Sequence, residues 1–399
     1  KIIVIGSCGQ IGTELVLALR NIHGSENVVA ADLKDECPSI LSNGPYIKMD
    51  ILDRDAVRSY IINEKVQEVY LLAALLSATA EKNPDFAWRL NMEGLFTVLD
   101  LAKELDYQPN VLATSLVKSK TKTLGLIVPD LGYYFFSTVV KAVEDAAIAA
   151  GYSLLIAQTQ ESFERELTNI QNLSRSQVEG IIISLSRETL NFDHLTRLQR
   201  RGIPLVFFDR DSEEIDASKV MVDNEQSAYE AVKHLIENGC KRIAFLAGPK
   251  NVSVSNQRRL GYSRALQEAG IEADPSLIIH SDYFQDSAIA KTHQLMKEPN
   301  RPDGILVVSD RLAIGVLIAL RELNISIPEE VKIVSFNNEP ICSLVSPTIS
   351  SIAQPLEEIG RLSVELLIEQ IEHKTDNPVP RVEVLKTKLI VRESSVRKK

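Results

Sequence analysis

Short apolar runs of strand length alternate with helical patterns along almost the whole chain, and this alternation constrains the fold more than any other feature. Strands that alternate with helices predict parallel sheets, with ligands bound at the carboxyl ends of the strands. In the larger, second part, segments 136–150 and 228–238 carry apolar residues three to four apart, as helices do. We therefore predict an α/β protein. The strands expected in this part are Leu124–Val128, Ser153–Ala157, Gly180–Ser184, Pro204–Phe208, Arg242–Leu246, Gly304–Val308 and Lys332–Phe336.

The composition is that of a globular protein and argues against several other classes. Hydrophobic residues make up 45% and charged residues 25% of the 399 positions, a length that predicts two or three domains. The longest apolar runs, such as Leu205–Phe208, are too short to span a membrane, so no membrane partner is expected. The chain opens on a strand without a signal-peptide pattern, from which we expect a cytoplasmic protein.

Cysteine usage and charge narrow the partners further. Cys8, Cys37, Cys240 and Cys342 are scattered, which argues against a disulfide framework and against any metal site of the zinc type. A net charge of −10 gives no overall attraction to nucleic acid. A short basic run at 118–122 is the local exception, and it fits a solvated linker as well as a segment near DNA.

The start of the chain has the pattern of a dinucleotide site. The first strand, Lys1–Ile5, runs into a glycine-rich turn and a helical pattern. Glycines at such a turn let the backbone approach a pyrophosphate, which the helix N-terminus then holds. A second strand ends in Asp32, where a carboxylate would bind a ribose hydroxyl and favour NAD over NADP; the alternative is that Asp32 only caps a loop. The turn residues are Gly6, Gly9, Gln10, Ile11 and Gly12.

Residues 1–104 resemble the front of the extended short-chain dehydrogenase/reductase family, especially its threonine-dehydrogenase and sugar-epimerase-like members. The resemblance rests on a third strand ending at Met49–Ile51, a fourth strand at Val69–Ala74 and the segment Asn83–Gly94. It implies a partial Rossmann module with NAD as a cofactor. It also implies that Asp50 and Ile51 lie near the adenine, Ala73 and Ala74 lie along the cofactor, and Asn91 lies on the active-site helix.

The catalytic part of that family is missing from this first segment. The family needs a Tyr-x-x-x-Lys helix, whose lysine lowers the pKa of the tyrosine so that the phenol exchanges a proton during hydride transfer. Tyr229 and Lys233 match by letter, but they belong to the second part of the chain. We therefore expect no catalytic residues and no dehydrogenase activity. The sheet left by this truncation would have about four strands, with an uncovered edge at its fourth strand.

The chain after Tyr107 resembles the LacI/GalR family of transcriptional regulators. The residues that carry this resemblance are Tyr107, Pro109, Asn110, Ala113, Ser115 and Leu116, followed by a basic spacer and Thr123–Asp130. It extends over residues 107–395 and implies a two-subdomain, periplasmic-binding-protein-like (type I) body. It also implies a hinge helix with Asn110, Ala113 and Leu116, in which Leu116 inserts between base steps of operator DNA. Alternatively, Leu116 is a linker residue that packs on the body.

The candidate effector-binding groups all follow predicted strands. The resemblance implies that Arg258, expected at the mouth of a cleft, clamps the ligand and that Tyr283 forms an aromatic wall. Asn337 stands where the family usually has an aspartate. The alternatives are that Phe135 or Phe136 is a core residue and that Asp310 only caps its helix. The full set is Phe135, Phe136, Asp209, Arg210, Arg258, Tyr283, Asp310 and Asn337.

These observations predict a ligand-responsive regulator that closes on a sugar or purine-like effector and transmits closure to DNA through the hinge. Its domains are expected at 1–105, 106–121 and 122–399, with homodimer contacts through segments 136–150 and 355–372. No helix-turn-helix pattern precedes residues 98–110, so operator binding is expected only where a headpiece is present. The alternatives are a catalytically incomplete NAD-dependent oxidoreductase and a nucleotide-sensing fusion. A constructed or misassembled chimera, joined within the helix near residues 98–107, is favoured over a natural fusion.

Overall fold

The computed structural model describes residues 1–75, 77–107, 121–372 and 379–396. Its internal contacts group the chain into two compact units, Lys1–Thr114 and Ser115–Lys399. Within the described ranges, no helix is both long and apolar enough to cross a membrane.

The first unit is a four-stranded parallel sheet in the order β3-β2-β1-β4, which confirms the predicted partial Rossmann module. Successive residues of β1 point to opposite faces, and both faces are covered. Ile3 and Ile5 pack towards Leu101, whereas Val4 packs towards Val16. The elements are β1 Ile2–Ile5, α1 Gln10–His23, β2 Val28–Asp32, β3 Tyr46–Lys48, α2 Arg54–Asn63, β4 Glu68–Leu71, α3 Ser77–Lys82, α4 Pro84–Trp88, a π-helical turn Arg89–Glu93, and α5 Gly94–Glu104.

Two strand ends in this unit differ from the prediction. β4 ends at Leu71, not Ala74, because the amides of Leu72 and Ala73 both donate to the carbonyl of Ile5, at 2.8 and 3.1 Å, and the ladder stops there. β3 ends at Lys48, because Asp50 already begins a turn in which its carboxylate accepts the amide of Leu52 at 2.9 Å.

The second unit has two lobes, each built on a six-stranded sheet. The N-lobe sheet has the order β15-β9-β8-β7-β5-β6 and is parallel throughout. Its elements are β5 Thr123–Val128, α6 Tyr134–Ala149, β6 Ser153–Gln158, α7 Phe163–Arg175, β7 Gly180–Ile183, α8 Asp193–Arg200, β8 Leu205–Phe208, β9 Ser218–Val222, α13 Leu356–Glu372 and β15 Val382–Leu385.

The C-lobe sheet has the order β11-β10-β12-β13-β14-β16, with β16 antiparallel to β14 and the other strands parallel. Its elements are α9 Asn224–Glu237, β10 Ile243–Ala247, α10 Ser253–Glu268, β11 Ile278–His280, α11 Gln285–Met296, β12 Gly304–Val307, α12 Asp310–Glu322, β13 Lys332–Asn337, β14 Ser350–Ala353 and β16 Lys388–Ile390. The chain therefore crosses between the lobes after β9, after β14 and after β15. This is the predicted two-subdomain, periplasmic-binding-protein-like architecture.

Helices α6 and α13 pack closely on the N-lobe because Gly360 has no side chain. A Cβ at position 360 would come within 2.6 Å of the Cβ of Ala142 and within 2.9 Å of the carbonyl oxygen of Val139. These are the helices in which the sequence predicts homodimer contacts. A broad surface groove of about 790 Å³ runs along them, with Tyr134 and Arg361 among its lining residues.

Candidate functional site

A cavity of about 60 Å³ lies between the two lobes, where the carboxyl ends of strands from both sheets face each other. Ligand pockets usually enclose about 300–1,000 Å³, so this cavity is smaller than a typical ligand pocket. Seven of the eight predicted effector residues line this cavity. The lining consists of Tyr133, Phe135, Phe136, Glu161, Asp209, Arg210, Val254, Arg258, Tyr283, Val308, Ser309 and Asn337.

Arg258 is held in place by two hydrogen bonds within the C-lobe. Its side chain lies on α10 and is buried rather than at the mouth of the cleft, where the sequence analysis expected it. Its Nε donates to the Asn224 side-chain oxygen at 2.9 Å and its Nη1 donates to the Val308 carbonyl at 2.7 Å. Burial lowers the pKa of Arg258 to about 10. The described residues leave its Nη2 without a hydrogen-bond acceptor, so this nitrogen is available to a ligand.

Arg210 is paired inside the N-lobe and forms one wall of the cavity. Its Nη1 and Nη2 bind the two carboxylate oxygens of Glu161 at 2.7 and 3.0 Å. Burial disfavours the charged form of Arg210 and by itself would lower its pKa. The charge and hydrogen bonds of Glu161 have the larger effect, so the pKa of Arg210 is raised. The guanidinium also lies 5.7 Å from the ring centres of both Phe136 and Tyr283. Arg210 therefore orders an aromatic wall more than it offers a free charge.

Asp209 presents a carboxylate that no described residue binds by a hydrogen bond. Its side chain is 12% exposed, and its closest cation is the Nε of Arg210 at 3.7 Å. Burial raises the pKa of Asp209, although Arg210 and Arg258 act in the opposite direction. A partly desolvated carboxylate without donors is a ready acceptor for hydroxyl groups of a ligand.

Several cavity residues have backbone angles that ordinary side chains rarely adopt. The φ angles of Glu161, Asp209, Tyr283 and Asn337 are 64°, 59°, 68° and 102°. Such conformations cost of the order of 1 kcal/mol or more each and persist where surrounding contacts fix them. Tyr283 illustrates this, because its hydroxyl occupies the space that a Cβ at Gly248 would need, 2.3 Å away.

Asn337 and Asp310, two of the predicted effector residues, form hydrogen bonds with other residues of the protein. Asn337 ends β13 and lines the cavity, but its side-chain oxygen accepts a hydrogen bond from the Gln354 amide at 2.8 Å. Asp310 does not line the cavity, because its carboxylate is hydrogen-bonded inside the C-lobe. It accepts hydrogen bonds from the Ser351 hydroxyl and the Glu339 amide, both at 2.7 Å, and from Ser335. Asp310 is the first residue of α12, whose N-cap is Ser309.

Contacts across the cleft hold the lobes together at its rim. The Nη1 of Arg187 in the N-lobe donates to the carbonyl of Asp282 in the C-lobe at 2.9 Å. The side-chain amide of Asn251 donates to the Arg187 carbonyl. Arg311 of the C-lobe lies 4.8 Å from the ring centre of Tyr133 in the N-lobe. The two hydrogen bonds of Arg187 are exposed to solvent.

Sequence analysis missed Glu161, the partner of Arg210. Glu161 follows β6 by three residues, so the rule that ligands collect at the carboxyl ends of parallel strands could have found it. Its own pKa is lowered: burial would raise the pKa, but the charge of Arg210 prevails.

The glycine-rich turn of the first unit has closely packed backbone. A Cβ at Gly12 would lie 2.3 Å from the carbonyl oxygen of Gly6, and a Cβ at Gly6 would lie 2.4 Å from the amide nitrogen of Ala73. Gln10 begins α1, and Ile11 is 72% exposed. The amide of Cys8 donates to the carboxylate of Asp32 at 2.8 Å. The turn, the end of β2 and the segment after β4 therefore meet at one edge of the sheet.

Other predicted cofactor residues are placed less favourably. Ile51 is buried and packs towards Gly94, where an added Cβ would come within 3.2 Å of the Ile51 side chain. Asn91 uses both ends of its amide on Leu75, accepting from the amide at 2.9 Å and donating to the carbonyl at 3.0 Å. Ile51 and Asn91 therefore hold the structure of the unit rather than present free groups. Asp50 and Ala74 are exposed.

The remaining sequence-level candidates lie elsewhere. The hinge residues Asn110, Ala113 and Leu116 fall outside the described residues. Tyr229 and Lys233 lie on α9 of the C-lobe, where the Tyr229 hydroxyl donates to Glu268 at 2.7 Å. That hydrogen bond raises the pKa of Tyr229, which is the opposite of what proton exchange with a substrate requires.

Comparisons with known proteins match two families to separate segments of this chain. The NAD dependent epimerase/dehydratase family matches residues 2–119, and the periplasmic binding protein-like domain matches residues 232–395. Two different families in one chain are consistent with the chimera that the sequence suggested.

Curated relatives and solved structures match the second unit and in some cases extend further. Catabolite control protein A of Priestia megaterium is 30% identical over 279 residues, which cover 70% of this chain and 83% of the relative. The ribose operon repressor of Halalkalibacterium halodurans is 31% identical over 330 residues, covering 83% of this chain and 96% of the relative. The structure of a LacI family regulator from Enterococcus faecium with bound ribose is 26% identical, covers 69% of this chain and all of its own, and has a TM-score of 0.61.

A regulator named CelR, solved as a cellobiose complex, is also 26% identical and has a TM-score of 0.64, covering 87% of this chain and 99% of its own. The two-lobed body, the interlobe cavity and these relatives agree. The chain belongs to the LacI family of transcriptional regulators, as a ligand-responsive member that also carries a segment of the epimerase/dehydratase family.

Proposed function

We propose that the interlobe cavity binds a small effector rich in hydroxyl groups, with a pentose as the first candidate. The observation that carries this proposal is that Asp209, a carboxylate without a hydrogen-bond donor among the described residues, and the free Nη2 of Arg258 line the same cavity from opposite lobes. The carboxylate accepts hydrogen bonds and the guanidinium donates them. Together they suit a ligand with neighbouring hydroxyl groups, because a hydroxyl group both donates and accepts hydrogen bonds.

The aromatic residues of the cavity support the same class of ligand. Phe136 and Tyr283 offer ring faces against which the C–H face of a sugar can pack. The relatives point in the same direction, since one is named a ribose operon repressor and one structure contains ribose. A relative named as the repressor PurR keeps purines as the second candidate, because aromatic walls also suit a flat base.

A titration panel tests the effector class. The full chain is titrated with D-ribose, cellobiose and hypoxanthine in a calorimeter, and the same series is repeated with Asp209→Asn. We expect saturable binding of D-ribose that Asp209→Asn weakens about tenfold or more. Tight hypoxanthine binding that Asp209→Asn leaves unchanged would favour the purine class and reject the sugar assignment.

Effector binding would control operator DNA through the segment 106–121, and the functional form would be a homodimer. The groove along α6 and α13 is the surface that we assign to the second copy, because it is broad and both helices are locked together at Gly360. Because operator DNA would be its target, we place the protein in the cytoplasm. Sedimentation equilibrium of the wild type and of Thr138→Arg, which adds a charge within the groove, tests the dimer.

We further propose that the first unit binds NAD without catalysing its reduction. The support is the close approach of Gly12 to Gly6 together with the Cys8–Asp32 hydrogen bond, which places a carboxylate beside the glycine-rich turn. A Rossmann turn of this kind presents backbone N–H groups to a pyrophosphate. Fluorescence titration with NADH tests binding, and the absorbance of NADH on incubation with NAD and L-threonine tests turnover, which we expect to be absent.

A further inference from the structure

A second concavity lies on the N-lobe, between the facing sides of α7 and α8. It has a volume of about 230 Å³ and takes residues at helical spacing from both helices. Its floor is apolar and consists of Leu167, Ile170 and Leu198. None of its lining residues belongs to the interlobe cavity, so it is a separate place in the fold.

Two arginines line this groove without an acidic partner. The Nε of Arg197 donates to the backbone carbonyl of Asp193 at 3.3 Å, and the Nη1 of Arg201 donates to the Ser174 hydroxyl at 3.4 Å. Among the described residues, neither arginine forms a salt bridge, although the chain carries a net charge of −10. The groove is thus locally basic.

His194 lines the same groove and has a ring nitrogen without a partner. The residue is 7% exposed, and its Nε2 lies 2.9 Å from the Glu166 carboxylate. Its Nδ1 is buried and makes no hydrogen bond to any described residue. Buried polar atoms are almost always satisfied, and an exception calls for a ligand, an ion or a water molecule.

Glu166 determines which ring nitrogen of His194 has no hydrogen-bond partner. Glu166 is fully buried and accepts hydrogen bonds from the Ser186 amide at 2.8 Å and from the Thr189 hydroxyl at 2.9 Å. A carboxylate that accepts from its neighbours holds the proton of His194 on Nε2. The ring is therefore oriented, and Nδ1 is the nitrogen that has no partner among the described residues.

We propose that the groove between α7 and α8 is a second ligand site, which takes a small carboxylate with a short aliphatic chain. The aliphatic chain covers Leu167, Ile170 and Leu198, and the carboxylate is bound by Arg197 and Arg201. His194 lines the same groove, and its unpartnered Nδ1 is the polar atom that is left for the ligand. This site is independent of the interlobe effector site, so the failure of either assignment leaves the other standing.

Nuclear magnetic resonance of the histidine side chains tests the proposal at the site itself. The chain has six histidines, so the ring spectrum is sparse, and the His194 signals are identified by their loss in His194→Gln. Butyrate and inorganic phosphate are titrated separately into the full chain. We expect butyrate to shift the His194 ring signals saturably. Phosphate should not do so at equal concentration, because it cannot cover the apolar floor.

Matched variants show whether the named residues hold the ligand. Arg201→Gln should weaken butyrate binding about tenfold, whereas Arg200→Gln on the same helix, outside the groove, should leave it unchanged. His194→Gln keeps a donor for Glu166 but removes the second ring nitrogen, and it should reduce butyrate binding measured by calorimetry. No saturable shift with butyrate, an equal effect of Arg200→Gln, or preference for phosphate over butyrate would overturn the proposal.

Discussion

The guanidinium carbon of Arg258 lies 3.8 Å from the centre of the Phe336 ring. The ring supports the flat face of the guanidinium, while Asn224 and the Val308 carbonyl hold two of its nitrogens. These partners lie at the start of α9 and just after β12, so Arg258 ties together separate elements of the C-lobe. A guanidinium held in this way is preorganised for a ligand and loses little freedom on binding.

Replacing Arg258 by lysine keeps a positive charge. The lysine cannot reproduce the planar set of guanidinium N–H donors or the stacking on Phe336. We expect Arg258→Lys to weaken D-ribose binding by roughly 10- to 100-fold, because a hydrogen bond to a charged group contributes about 1.5–3 kcal/mol. Calorimetric titration measures the loss. Arg259→Lys, next to it but outside the cavity, is the matched control and should bind like the wild type.

Replacing Asp209 by asparagine should stabilise the free protein at neutral pH. The folded state raises the pKa of Asp209, so the wild type loses stability as pH rises from the unfolded pKa through the folded one. Below both pKa values the carboxyl is neutral in either state and the penalty vanishes. Asparagine also tolerates the left-handed backbone at this position.

Thermal melts of wild type and Asp209→Asn between about pH 3 and pH 8 measure this difference. The variant should melt higher at pH 7, and the gap should close towards the acidic end. A gap that stays constant with pH, or a variant that melts lower at pH 7, would show that the carboxylate is not penalised by burial.

Removing Arg187 should favour the open form of the cleft. Arg187→Ala deletes the side-chain hydrogen bond to Asp282 across the rim, which is exposed and so contributes about 1 kcal/mol or less. We expect ligand dissociation a few-fold faster in stopped-flow measurements. Arg165→Ala is the control, because its side chain contacts Gln160 in its own lobe. Equal rates in wild type and Arg187→Ala would mean that the rim contacts do not govern opening.

The carboxylate of Asp32 should decide which dinucleotide the first unit prefers. A 2′-phosphate would meet this negative charge, so NADPH should bind at least about tenfold more weakly than NADH. Asp32→Ser should narrow that ratio in fluorescence titrations. Asp35→Ser removes a carboxylate that pairs with Lys48 on the exposed surface, and it should leave the ratio as it is. A wild type that binds both equally would argue against the assigned role of Asp32.

The seven strands predicted in the second unit agree with the structure to within one residue at each end, and with them most of the cavity is predicted, whereas two strand ends of the first unit are not. The family resemblance implied the roles of Arg258 and Tyr283, and both lie at the cavity, where the carboxyl ends of parallel strands meet. Asp310 and Asn91 were also predicted as ligand-binding residues, but each forms hydrogen bonds within the protein. Asp310 accepts from Ser351, and Asn91 accepts from the Leu75 amide. The side-chain directions in the folded lobes decide which donors and acceptors remain free. The pattern of residues along the chain does not specify these directions.

A crystal structure of the full chain grown with D-ribose tests most directly whether the interlobe cavity is the effector site. We predict a sugar between the lobes, with hydroxyl groups that donate to Asp209 and accept from Nη2 of Arg258, and with one sugar face against Phe136 or Tyr283. Ribose bound at another surface, or an interlobe cavity without ribose at saturating concentration, would contradict the assignment.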